Sequence, residues 1–178
     1  IAAFLSKTKE DIWLLDYKKE RASLINKEGI SIEGVSGSWQ AKVKTTSDEK
    51  EIGKAEIVII SVKSYDTKKA ATSIKSIIDE RTSVITLQNG IGNIETISEI
   101  AGGEKVIAGI TNHGATLTKE GKVIHAGKGE TLIGRLDAKI TPSMRTIREV
   151  FNRSGIETRI TRDIKSMIWL KLIINCGI

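Results

Sequence analysis

The stretch AEIVIISVK, residues 55–63, read together with SVITLQNGIGN, residues 83–93, decides the fold. Residues 57–62 are β-branched and almost wholly apolar, which predicts a strand buried on both faces and not a half-buried one with strict alternation. Between the two stretches Ala70, Ala71, Ile74, Ile77 and Ile78 recur at helical spacing, so residues 67–78 read as an amphipathic helix. Residues 83–87 form the next strand, a glycine-containing loop follows, and a helix is expected near 94–100. Two successive strand–helix units favour parallel pairing, because the helix supplies the crossover that parallel strands need. An α/β fold with a doubly wound parallel sheet is the expectation, and such a sheet binds ligands beyond the carboxyl ends of its strands.

Working outward, residues 1–6 read as the tail of a helix and DIWLLD, residues 11–16, as a short buried strand. Residues 18–27 have helical character, with Gly29 placed to stop the helix. Residues 30–45 alternate Val35, Trp39, Ala41 and Val43 among glycines and read as a β-hairpin or meander. Three strands are expected at 106–111, 122–125 and 131–133, joined by glycine-rich turns around Gly114, Gly121, Gly127 and Gly129. Pro142 suits the first turn of a helix over 142–153, where its missing N–H costs nothing. A strand at 156–160 follows, and Asp163 can cap a last helix that continues to the end of the chain. The layout is thus an α/β sheet with a β-rich edge, then the beginning of a helical region. Because Ile1 and Ile178 both lie inside helix-like patterns, the chain reads as a fragment.

Composition narrows the function. The chain is 178 residues long, 39% hydrophobic and 28% charged, as expected of a globular protein and not of a disordered one. Its aromatics are three Trp, two Tyr and two Phe, so the core must be aliphatic. The net charge of +6 is spread, with 22 acidic residues interleaved among the basic ones. A basic cleft for an anionic small ligand accounts for that better than nucleic acid does. With Cys176 as the sole cysteine, neither an intrachain disulfide nor a cysteine metal cluster can form, and a cytoplasmic, reducing location fits. No apolar run approaches the roughly 20 residues of a membrane span.

Five residues stand where chemistry is expected. Asp16 ends the first strand, where a dinucleotide-binding sheet presents an acid to the adenosine ribose; taken alone, it reads as a turn or cap residue. The glycine-rich turn that would precede it by about 20 residues lies outside the sequence. Lys63, with Ser64 and Tyr65, follows one strand, and Asn89 follows the next, so both reach the same sheet edge. Asn89 can bind a ligand through its amide or merely shape a loop. Lys171 and Asn175 are four apart on one helical face among Trp169, Leu170, Leu172, Ile173 and Ile174. The ammonium either snorkels to water or faces a cleft, where it can protonate a carbonyl oxygen as hydride reaches the carbon. His113 and His125 lack acidic partners for a metal site and are expected to be structural.

Taken together, SVKSYDT (61–67), LQNGIGN (87–93), TNHGATLTKEGKVIHAGKGETLIG (111–134) and IWLKLIINCGI (168–178) resemble the ketopantoate reductase family in order and spacing over nearly the whole chain. The resemblance implies a Rossmann domain over 1–161, without its first strand and glycine-rich turn. Residues 162–178 would then be the first helix of a C-terminal domain like that of 6-phosphogluconate dehydrogenase, through which a homodimer could form. It implies reduction of 2-dehydropantoate on the route to pantothenate and coenzyme A, with Lys171 catalytic and Asn175 and Asn89 binding the small-molecule substrate. Asn89 and Lys63 would lie beside the cofactor. That cofactor is NADP by family habit, although Asp16 favours NAD and Lys18, Lys19 and Arg21 can offset it. The later asparagine, serine and glutamate of the family's substrate site are not in the sequence. Two other readings stay open: a related dehydrogenase for another hydroxy acid or an opine-like compound, and a non-catalytic nucleotide-sensing module.

Overall fold

In a computed structural model, residues 1–177 are described. In chain order the elements are α1 (Ala2–Leu5), β1 (Trp13–Leu15), α2 (Lys19–Glu28), β2 (Ile30–Gly34), β3 (Trp39–Ala41), β4 (Lys44–Thr46), β5 (Ile57–Ile60), α3 (Thr67–Ser73), β6 (Ser83–Thr86) and α4 (Asn93–Ala101). They continue with β7 (Val106–Thr111), β8 (Gly114–Lys119), β9 (Lys122–Gly127), β10 (Thr131–Gly134), α5 (Pro142–Ser154), β11 (Thr158–Ile160) and α6 (Ile164–Cys176). The chain divides into two compact units, the first made of residues 1–52, 112–130 and 149–157, the second of 53–111, 131–148 and, among the described residues, 158–177.

The first unit holds a four-stranded sheet of order β3-β2-β9-β8 and a two-stranded parallel pair, β1 with β4. Ala3, Ile25, Ile30, Ile32, Ala41 and Val43 form its buried cluster, with Ile12, Leu14 and Trp39 packed against it. The expected hairpin exists as β2 and β3, but the third segment of the presumed meander, β4, leaves it to pair with β1. Its backbone is held there by Asn26, whose Oδ1 accepts from Thr45 N at 2.7 Å. β1 is only half-buried, because it has a single strand neighbour. β8 stands where the sequence suggests a turn at Gly114. It is an edge strand whose residues after Gly114 are all exposed, so it has no apolar alternation to betray it.

The second unit contains the α/β sheet, of order β11-β10-β7-β6-β5. β5, β6 and β7 run parallel, as the strand–helix rhythm requires; β10 is antiparallel to β7, and β11 is parallel to β10. This is a mixed α/β, Rossmann-like arrangement. β6 is the strand buried on both faces, all four of its residues being buried. β5 is not, contrary to the sequence expectation: it is the edge strand, Val58 and Ile60 face inward, and Ile57 and Ile59 are half-buried. Ile85, Ile97, Ile107, Ile133, Met144, Ile147 and Ile164 are fully buried and make the aliphatic core. The helix expected over 67–78 ends at Ser73 and tightens to a 3₁₀ turn over Ile74–Ser76.

The start of α6 lies close upon β10. A Cβ on Gly134 would meet Thr161 O and Ile164 Cβ, each at 2.7 Å, so a glycine is needed for this approach. Asp163 caps the helix by accepting from Ser166 N at 3.2 Å. Among the described residues no helix is long and apolar enough to cross a membrane.

Candidate functional site

The register of the parallel strands sets the site. Ile60 pairs with Thr86 at the carboxyl ends of β5 and β6, so the loops carrying Lys63 and Asn89 leave the sheet at one edge. They touch there: Ser64 Oγ donates to Asn89 O at 3.4 Å, and Gln88 Nε2 donates to Val62 O at 2.7 Å. Gly90 and Gly92 have φ of 89° and 88°, and the space where a Cβ would stand is open at both, leaving that side of the loop accessible.

Beyond β6 and β7 lies an open cleft of about 370 Å³, solvent space included, lined among others by Asn89, Gly90, Gly109, Lys171 and Asn175. Residues up to 86 sequence positions apart, Asn89, Lys171 and Asn175, are thus brought to one cleft by the packing of α6 against β7. Lys171 is held at the wall of this cleft. It is partly buried, and its Nζ donates to the carbonyl oxygen of Thr111 at the end of β7. Desolvation holds its pKa below the ordinary lysine value. Asn89 and Asn175 are exposed, so their amides can meet a ligand. The arrangement sets a tethered, partly desolvated ammonium in the same cleft as two amides, which suits a substrate combining a carbonyl oxygen with further polar oxygens.

Lys63 is exposed at the start of the 3₁₀ turn Ser64–Asp66 and is not among the residues lining the cleft; its loop touches the Asn89 loop, which lines it. Asp16 belongs to the first unit. Its carboxylate caps the turn before α2 through Lys18 N at 2.9 Å and holds Arg21 in a two-pronged pair through Nε and Nη2. The guanidinium pKa is raised by that carboxylate, burial opposing. Tyr17 lies under the same guanidinium, with Cζ 5.4 Å from the ring centroid.

The histidines meet each other. His113 Nδ1 and His125 Nε2 are 3.0 Å apart, the rings stack, and Phe4 meets His125 edge-on. Burial lowers both pKa values, and for His113 the neighbouring His125 adds to it. No group of three or more His, Cys, Asp or Glu among the described residues could hold a metal.

Sequence reading did not single out Gln88, Thr67 and Asn93, whose side chains tie the two loops together. The signal available was only their type: amides and a hydroxyl at the ends of buried strands and helices, where an unpaired polar group is costly.

The family described as ketopantoate reductase PanE/ApbA matches residues 1–138. The 2-dehydropantoate 2-reductase of Pyrococcus horikoshii is 37% identical over 179 residues, covering 100% of this chain and 57% of that protein. Its counterpart in Halobacterium salinarum is 32% identical, covering 94% and 55%. The crystal structure of 2-dehydropantoate 2-reductase from Geobacter metallireducens GS-15 matches with a TM-score of 0.90 at 27% identity, over 98% of this chain and 57% of that one. The chain spans somewhat over half the length of these relatives.

Proposed function

The chain belongs to the ketopantoate reductase PanE/ApbA family, and on that premise we propose that the protein reduces the 2-keto group of 2-dehydropantoate to give pantoate, using NAD(P)H. The observation that carries this reading is the partly buried Lys171 ammonium facing a cleft it shares with Asn89 and Asn175. When bound, the nicotinamide group supplies the hydride. The chain's own part is electrostatic and geometric. As the substrate oxygen gains alkoxide character, Lys171 Nζ stabilises the charge and donates a proton to that oxygen. Asn175, one helical turn on, and Asn89, from the β6 loop, bind the substrate's oxygens and orient the carbonyl. The Lys171 ammonium has three N–H donors and no acceptor, and with one donated to Thr111 O it has hydrogens left for the substrate while it stays anchored.

The residues fit a dinucleotide. Within the second unit the Asn89–Gly92 loop presents open backbone and Lys63 offers a cation at the same sheet edge; within the first, taken by itself, Asp16 and Arg21 are an acid and a base of the kinds that bind a ribose and a phosphate. We favour NADP, with NAD as the alternative, because Arg21 is already drawn to the acid that would otherwise repel a 2′-phosphate. We also infer a cytoplasmic homodimer in which residues 162–178 open a C-terminal domain. The exposure of Trp169, Leu170, Ile173 and Ile174 on α6 supports a covering partner for that helix.

The test is consumption of NADPH and NADH by the protein at its native length with 2-dehydropantoate and a panel of other 2-oxo acids and imine-forming pairs. A clear preference in kcat/KM for 2-dehydropantoate is expected. Preference for another acid would move the substrate assignment, and absence of turnover on the whole panel would remove the enzymatic reading.

A further inference from the structure

A continuous hydrogen-bond chain runs beneath the cleft and joins both loops. Thr86 Oγ1 donates to Gln88 Oε1 at 3.0 Å. Gln88 Nε2 donates to Val62 O at 2.7 Å and to Thr67 Oγ1 at 2.8 Å. Thr67 Oγ1 donates in turn to Asn93 Oδ1 at 2.8 Å, and Asn93 Nδ2 donates to Asn89 O at 3.0 Å and to Ser64 Oγ at 3.4 Å. Ser64 Oγ closes the chain on Asn89 O at 3.4 Å.

The proton count leaves one arrangement. Each hydroxyl has a single hydrogen, and those of Thr86, Thr67 and Ser64 are directed to Gln88 Oε1, Asn93 Oδ1 and Asn89 O. Each amide has two hydrogens, and both are used. Turning over either amide would set donor against donor or acceptor against acceptor along the chain. Thr67, Thr86 and Asn93 are buried, so water cannot readily replace a lost partner.

Resting on the proposed reductase reading, we propose that Thr67, Gln88 and Asn93 are positioning residues: their fixed-polarity chain locks the Lys63 loop to the Asn89 loop and presets where Asn89 meets the ligand. The chain holds the backbone oxygen of Asn89 and leaves its exposed side-chain amide for the cleft. Thr67 and Asn93 open the helices that follow the two loops, so each loop is pinned at its far end to the other. Lys171 stands on α6, outside the chain. Loosening the loops therefore weakens binding more than it alters the proton donor.

Thr67→Val tests this at native protein length, because it keeps the shape and removes the hydroxyl that joins Gln88 to Asn93. We expect faster amide exchange in both residues 61–66 and 87–92 with β6 and β7 still protected. We also expect KM for 2-dehydropantoate and the Kd for NADPH to rise about tenfold or more, while kcat falls less than about threefold. Thr67→Ser, which restores the hydroxyl, should recover wild-type behaviour. Should Thr67→Val fail to fold, Gln88→Met cuts the chain at a less buried link and is expected to give the same pattern. Unchanged exchange in either loop, a loss confined to kcat, or a Thr67→Ser variant as impaired as Thr67→Val would overturn the proposal. A wild-type protein inactive on 2-dehydropantoate would sink only the functional reading, since exchange and the NADPH titration report on the loops without turnover.

Discussion

Replacing Lys171 by Ala removes the ammonium and leaves Asn89 and Asn175 in place. In a partly buried site with an effective dielectric near 20, a cation about 3 Å from a full alkoxide is worth roughly 5–6 kcal/mol. Charge develops only in part at the transition state and water reaches the open cleft, so the realised loss is smaller. General acid catalysis of this kind contributes about a hundred- to ten-thousand-fold, or roughly 2.7–5.4 kcal/mol, and kcat should fall by a factor in that range. The structural cost is separate and modest: the Thr111 carbonyl loses the Lys171 donor, about 1 kcal/mol, which lowers Tm by roughly 2–4 °C in a protein of this size. Cofactor affinity should change little. The wild-type pH profile gives a second reading. The donor must be protonated, so kcat should fall as pH rises through the Lys171 pKa, and desolvation puts that descent below the ordinary lysine value. The variant should lack that limb. Steady-state kinetics from neutral to alkaline pH, with a thermal melt and an NADPH titration alongside, decide the matter. A variant within about threefold of normal turnover would remove Lys171 from the mechanism, since even the weakest general acid contributes more.

Asp16→Ala should shift the ratio of kcat/KM for NADPH over NADH upward, by about tenfold or more, because it frees the Arg21 guanidinium and removes a like charge from a 2′-phosphate. An unchanged ratio would leave Asp16 as the turn residue that its bond to Lys18 N already makes it. The histidine pair predicts an acid-labile first unit. Burial depresses both folded-state pKa values, so the unfolded chain binds more protons as pH drops, and the pair's stabilisation, full above the unfolded value of about 6.5, is lost as pH falls through it and on through the folded values. Thermal melts between about pH 7.5 and pH 5 should show Tm falling in the wild type and falling less in His125→Phe; equal slopes would contradict the assignment.

Local sequence determined a good deal here. Apolar composition and helical spacing specify β5, α3, β6 and α4 in order, and parallel pairing follows from the connections between them. Asp163 and Pro142 mark helix starts because capping and a missing N–H are local effects that need no partner elsewhere. Two residues after neighbouring parallel strands must reach one edge, so the convergence of the Lys63 and Asn89 loops was legible as well. What the sequence could not carry was anything set by a distant neighbour. Whether β5 or β6 is buried on both faces depends on which has a strand on each side. β4 pairs with β1 and not β3, and β8 forms without an apolar face, because backbone hydrogen bonding is blind to side-chain type. The same holds at the site. Spacing left the Lys171 ammonium free to snorkel or to face a cleft, and only the passage of α6 past the end of β7 brings it to the Thr111 carbonyl beside Asn89. The chain through Gln88, Thr67 and Asn93 joins groups up to 29 residues apart, and the requirement that each buried donor find one acceptor operates only once the sheet has assembled.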